Sequence, residues 1–90
     1  MFREDFDWNN RLDLKTEIDD YLISTVDLGI DHSFGDGKPL YYETMIFKKG
    51  SYLDLYCERY STEEEAREGH KRIVRNAKVG REIWRKINEK

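Results

Sequence analysis

Residues 24–45 read STVDLGIDHSFGDGKPLYYETM, and the fold turns on them. A β-branched, apolar run enters from Ser24 and gives way to a loop that gathers Asp31, His32, Gly35, Asp36, Gly37, Lys38 and Pro39. A second strand-like run then leaves through Met45. Gly35 and Gly37 open backbone conformations closed to other residues, and Pro39 fixes a turn. Two strands joined in this way form an antiparallel pair, and a polar loop held between strands is a natural place for binding.

Upstream, Tyr21 to Ile30 is the strongest strand signal, with Leu22, Val26, Leu28 and Ile30 on one face. Arg11 to Ile18 alternates, with Leu12, Leu14, Thr16 and Ile18 against Asp13, Lys15 and Glu17, the pattern of a half-buried strand. Asp19 and Asp20 supply a two-residue turn between them, so the two segments form a hairpin. Residues 1–10 have no clean period and read as an arm whose Phe2, Phe6 and Trp8 dock on the domain or mark a partner surface.

Downstream, Leu40 to Phe47 leaves two readings open. If Met45 and Phe47 face the core, Glu43 is buried with them and needs a partner. If Tyr42, Thr44 and Ile46 face inward, Glu43 is a surface acid. After a turn at residues 48–51, Tyr52 to Tyr60 places Leu53, Leu55 and Cys57 on one face and Tyr52, Tyr56 and Tyr60 on the other, as a tyrosine row turned away from the helix. Ser61 or Thr62 caps the final element, with Glu64 or Glu65 completing a capping box. Ala66, His70, Ile73, Ala77, Gly80, Trp84 and Ile87 make one helical seam over residues 61–88, and Gly80 is a place for a kink. The expectation is one α+β domain over residues 1–90. An antiparallel sheet of three to four strands (residues 11–60) carries one long C-terminal helix on one face.

Charged residues make up 39% of the chain, so aromatics must supply much of the buried area that folds it. Residues 1–60 carry 13 acidic and 7 basic side chains, and residues 61–90 carry 6 and 9, which separates an acidic sheet from a basic helix. A lone cysteine, Cys57, forms no internal disulfide, and no stretch resembles a signal peptide or an apolar membrane span. A cytoplasmic protein without membrane association is expected.

Asp31, His32, Gly35, Asp36, Gly37, Glu43 and His70 are the candidate binding residues, because imidazole, carboxylate and glycine-exposed amides together can hold a ligand or move protons. His70 on the helix seam would meet Glu43 if that side chain rises from the sheet, either as a site or as a satisfied core pair. The loop lacks the spacing of phosphate-binding, dinucleotide or calcium motifs, and no cofactor or metal is expected. Lys71, Arg75, Lys78, Arg81 and Arg85 form a basic helix strip that would suit nucleic-acid phosphate, or is simply a solvated face.

The run STVDLGIDHSFGDGKPLYYETMIF, followed by ERYSTEEEAREGH, resembles a group of small proteins of tailed phages and prophages. These carry an STVxLGxxHxFGxGxPLxxETMxF block and then RYxTxxEAxxGH. The resemblance covers residues 24–47 and 58–70, and falls on His32, Gly35, Gly37, Pro39, Glu43 and His70. It implies a phage accessory protein made in a bacterial host cell. The expected function is non-enzymatic binding to a host protein, with inhibition of a host defence component as the job and a homodimer as an assembly. A nucleic-acid-binding factor using the basic helix is the first alternative. A small metal-dependent hydrolase built on His32, Glu43 and His70 is the second.

Overall fold

The computed structural model describes residues 2–33, 35, 37–51 and 53–88, the last seven of these as backbone only. The alternating segments pair in chain order. β1 (Asp13–Ile18), β2 (Tyr21–Asp27), β3 (Tyr42–Lys48) and β4 (Asp54–Tyr60) form one antiparallel sheet of order β1-β2-β3-β4, and α1 (Glu63–Asn88) packs across one face. This is the small α+β fold expected from the sequence.

The β1–β2 hairpin closes from Ile18 opposite Tyr21, and Asp19 takes a left-handed φ of 53° to turn it. Asp tolerates that region better than most residues, which is why the turn forms without glycine. Between β2 and β3 the ladder runs past the strand ends, with the Leu28 amide donating to the Tyr41 carbonyl and the His32 amide to the Leu40 carbonyl. The second bond lies beyond the bend at Gly29 and out of the β2–β3 register, and it closes the base of the connecting loop.

At the start of α1 the Thr62 hydroxyl accepts from the Glu65 amide at 3.1 Å while the Glu65 carboxylate accepts from the Thr62 amide at 3.2 Å. Thr62, rather than Ser61, is thus the cap, and Glu63–Glu65 place acids at the positive helix end. Ala66, Gly69, His70 and Ile73 are buried, and Ala77 and Arg81 half-buried. That drift follows a straight 3.6-residue helix and leaves Gly80 exposed, so the helix passes through it unbroken. The side chains of Trp84 and Ile87 lie outside the described residues.

The face that α1 covers corrects the reading of two strands. On β2 it is Ile23, Thr25 and Asp27, not the more apolar Leu22 and Val26, that are buried beneath the helix. Cross-strand register puts Tyr42, Thr44 and Ile46 on the same face. On β4 the tyrosines turn toward the helix rather than away from it. Tyr60 is buried under α1, and Tyr56 lies opposite Ile46 on that face but exposed. The strand starts at Asp54, opposite Phe47; a bulge between Ile46 and Phe47 leaves Leu55 without a partner on β3, and Tyr52 lies outside the described residues.

Two clusters make the core: Leu12, Tyr42, Tyr60 and Ala66 at the start of the helix, and Ile18, Ile23 and Ile73 further along. Gly69 sets the helix-to-sheet distance, since a Cβ there would stand 2.3 Å from the Tyr60 hydroxyl. A side chain at that position has no room.

Candidate functional site

The arm, the connecting loop and the N-terminus of α1 share one end of the molecule. The arm is anchored by Arg3, whose amide donates to the Gly29 carbonyl and whose guanidinium grips the Asp27 carboxylate at 2.5 and 3.2 Å. Asp27 is nearly fully buried, and this ion pair supplies the countercharge that burial demands. The same guanidinium sits 5.0 Å from the Tyr41 ring centroid and 5.4 Å from that of Tyr42. Phe6 packs on Gly29, whose φ of 72° and lack of a side chain leave room for the ring.

Upon Phe6 sit Phe2, stacked at 5.2 Å, and Trp8, edge-on at 5.1 Å. Phe2 and Trp8 stay 46% and 61% exposed, with Glu4, Asp5 and Asp7 exposed around them. The arm thus docks on the domain and still presents aromatic surface. Arg11 lies over the Trp8 ring at 4.9 Å and fixes its position.

In the loop, Asp31 is a structural clamp. Its carboxylate accepts from the Leu40 amide, the Ser33 amide and the Ser33 hydroxyl at 2.8, 2.8 and 3.0 Å. Those bonds, the one from Leu40 first, hold its carboxyl below the usual range. His32 is half-buried, and Gly35 and Gly37 are exposed at the tip. Asp36 lies outside the described residues.

His70 and Glu43 do not meet, which overturns the pairing the sequence suggested. They lie on opposite faces of the sheet, because Glu43 alternates with the buried Tyr42 and Thr44. His70 instead joins a hydroxyl network beneath α1. Its Nδ1 is 2.7 Å from Thr25 Oγ1, and its Nε2 is 2.8 Å from Thr16 Oγ1. Thr25 Oγ1 is 2.5 Å from Thr44 Oγ1, which accepts from the Tyr60 hydroxyl at 3.0 Å.

One proton arrangement uses every hydroxyl hydrogen of the inner chain. Tyr60 donates to Thr44, Thr44 to Thr25, and Thr25 to His70 Nδ1, which leaves Nε2–H to donate to Thr16. Burial, with Lys15 adding a smaller effect, lowers the His70 pKa, so the ring is neutral as this chain requires. Thr16, Thr25, Thr44 and Tyr60 were not singled out as site residues from the sequence. A seam histidine facing threonines on adjacent strands was the signal for them.

Tyr42, Thr44 and Ile46 face inward as in the second sequence reading, yet Glu43 is 6% exposed and partnered, so it is not the surface acid expected with that facing. Arg59 Nε donates to its Oε2 at 2.9 Å, and Cys57 Sγ approaches the same oxygen at 3.4 Å. Burial and then the Glu43 charge push the Cys57 thiol pKa up, which disfavours the nucleophilic thiolate. Among the described residues no cluster of three or more His, Cys, Asp or Glu side chains is placed to hold a metal ion.

The basic strip is partly occupied. Arg81 turns inward to Asp19 at 3.4 Å, Lys71 lies 4.0 Å from Glu68, and Arg72 pairs with Glu58, while Arg75 and Lys78 stand exposed. The Arg85 side chain lies outside the described residues. No described helix is long and apolar enough to cross a membrane. Comparison with family models, curated proteins and solved structures finds no match.

Proposed function

We propose that this chain is a non-enzymatic binding protein of phage origin that occupies a basic, partly apolar surface of a bacterial host protein, with inhibition of a host defence component as its role. The observation that carries the reading is the aromatic cluster of Phe2, Phe6 and Trp8, exposed among carboxylates and pinned by Arg3 and Gly29. Exposed aromatics on a rigid base are typical anchors of protein interfaces, and a ring of acids selects a basic partner. The phage origin rests on the resemblance of residues 24–47 and 58–70.

The test is capture of bound proteins from bacterial lysate by the tagged chain, with and without nuclease, using wild type and Trp8→Ala. One stoichiometric protein that survives nuclease and is lost with Trp8→Ala is the expected result. Retention of that protein by Trp8→Ala refutes the aromatic anchor. Recovery of nucleic acid alone transfers the function to Arg75 and Lys78 on the helix.

A further inference from the structure

The two edges of the sheet are guarded differently. β1 exposes Asp13, Lys15 and Glu17, charges that discourage another strand from pairing there. β4 exposes every residue from Asp54 to Cys57, with Leu55 61% and Tyr56 45% accessible, and Leu53 just before it at 78%. Beside this edge the described residues of the helix leave a corner uncovered, because α1 runs diagonally from Tyr60 toward the β1–β2 turn, where Arg81 meets Asp19. Tyr21, Ile46, Leu55 and Ala77 line the resulting open cleft of about 680 Å³.

The surface is also large for a chain of this mass. The chain exposes 6896 Å², whereas a folded monomer of 10.9 kDa exposes about 5,600 Å². Its radius of gyration is 15.2 Å, against about 12 Å for a compact domain of this length. That extra area goes with an elongated shape, 55 by 26 by 22 Å, which leaves the β4 edge and the corner beside it open to a partner.

We infer that a second copy of this chain pairs with β4 edge to edge, the two β4 strands running antiparallel about a two-fold axis at Cys57. Side-chain geometry and charge select that register. Residues directly opposite in an antiparallel pair share a face, so the axis passes through a residue and not between two. An axis at Tyr56 sets Asp54 of one copy against Glu58 of the other, and an axis at Glu58 sets the two Glu58 side chains against each other. Like charges so placed are destabilising. An axis at Cys57, the middle residue of β4, opposes no like charges and sets Tyr56 against Glu58, to which Tyr56 already donates at 2.7 Å within its own chain.

The bulge lies near the start of the strand and keeps Tyr56 to Glu58 as the regular centre of the pairing. Leu55 and Tyr56 of both copies then gather on the helix side of the seam and close the uncovered corner. The two Cys57 residues meet on the other side. The contact is separate from the aromatic end of the molecule.

Sedimentation equilibrium of the purified chain at micromolar concentration, together with oxidation of Cys57 at alkaline pH, tests this. Antiparallel opposite residues have Cα atoms about 4.5–5.5 Å apart, within disulfide range. Diamide should therefore take up the two hydrogens released as the Sγ–Sγ bond forms and yield a covalent dimer that thiol reduces. Cys57→Lys opposes two ammonium groups on the axis while keeping Glu43 beside each in its own fold, and is expected to weaken association about tenfold. Leu55→Lys, at an exposed position, should weaken it as well by placing an ammonium group among the apolar side chains that close the corner. A monomer at every concentration, a dimer that diamide leaves uncrosslinked, or a dimer indifferent to both substitutions overturns the inference.

Discussion

Thr25→Val is the most searching perturbation of this fold, because it keeps shape and removes one oxygen. Thr25 is fully buried and bonds both Thr44 and His70, so valine opens no cavity but ends two hydrogen bonds at once. His70 Nδ1 loses its donor and the Thr44 proton loses its acceptor, each a buried polar group left unmatched at about 1–3 kcal/mol. The expected loss is about 2–4 kcal/mol. A domain of this length has a total stability of roughly 5–14 kcal/mol, so the loss is a large fraction of it. Urea unfolding followed by circular dichroism should show the midpoint falling by about 2 M at a slope of ~1–2 kcal/mol/M, with the slope itself unchanged. Thr44→Val alone should also destabilise, and the double variant should cost less than the two losses added, with a coupling above about 0.5 kcal/mol. A Thr25→Val protein within about 0.5 kcal/mol of wild type would refute the view that the hydroxyl network, rather than aliphatic packing, holds this part of the core.

Gly69→Ala should destabilise by about 1–3 kcal/mol despite alanine's better helix propensity, because the methyl group meets the Tyr60 ring; thermal unfolding checks this, and an unchanged or raised melting temperature counts against the close approach. Arg3→Ala leaves Asp27 buried without its cation and should cost about 3 kcal/mol while making the arm susceptible to proteolysis; arm cleavage no faster than in wild type sinks the anchoring role. The depressed His70 pKa fixes the sign of a pH effect. As pH falls through the ordinary histidine value near 6.5, the unfolded chain takes up the proton first, so stability falls with pH by at most about 1.4 kcal/mol per unit. His70→Asn should remove that slope between about pH 7 and pH 5.5, and an identical slope in the variant would place its origin elsewhere.

The order of strands and helix was legible because alternation and helical period are local signals, and β1, with Thr16 and Ile18 inward, shows them intact. The faces of β2 and β3 were harder to read. Counting apolar residues favours Leu22 and Val26, but the helix covers Thr25, Asp27 and Thr44, residues that become core only because His70, Arg3 and Tyr60 complete their hydrogen bonds. Such partners come from residues 16–45 positions distant in the chain, beyond any local pattern. Glu43 shows the same limit: its burial depends on Arg59 of the neighbouring strand. Within the candidate site, the loop was legible from its glycines, whereas the clamp role of Asp31 depends on a backbone amide nine residues away.

The placement of His70 argues against its use as a general base. A general base must reach a substrate proton with a free lone pair. Here one ring nitrogen accepts from Thr25 and the other donates to Thr16, beneath a helix whose glycine contact with Tyr60 leaves no slack. Freeing the ring means lifting α1, with Ile73, from Ile18 and Ile23, which is a large part of unfolding the domain. Glu43 is committed to Arg59 on the opposite face, so no route joins the two groups into a dyad. The side chains of His70 and Glu43 are spent on the fold. Among the described residues, exposed large apolar side chains group at the aromatic arm at one end of the sheet and at the β4 edge along its side, the two surfaces on which the proposed contacts rest.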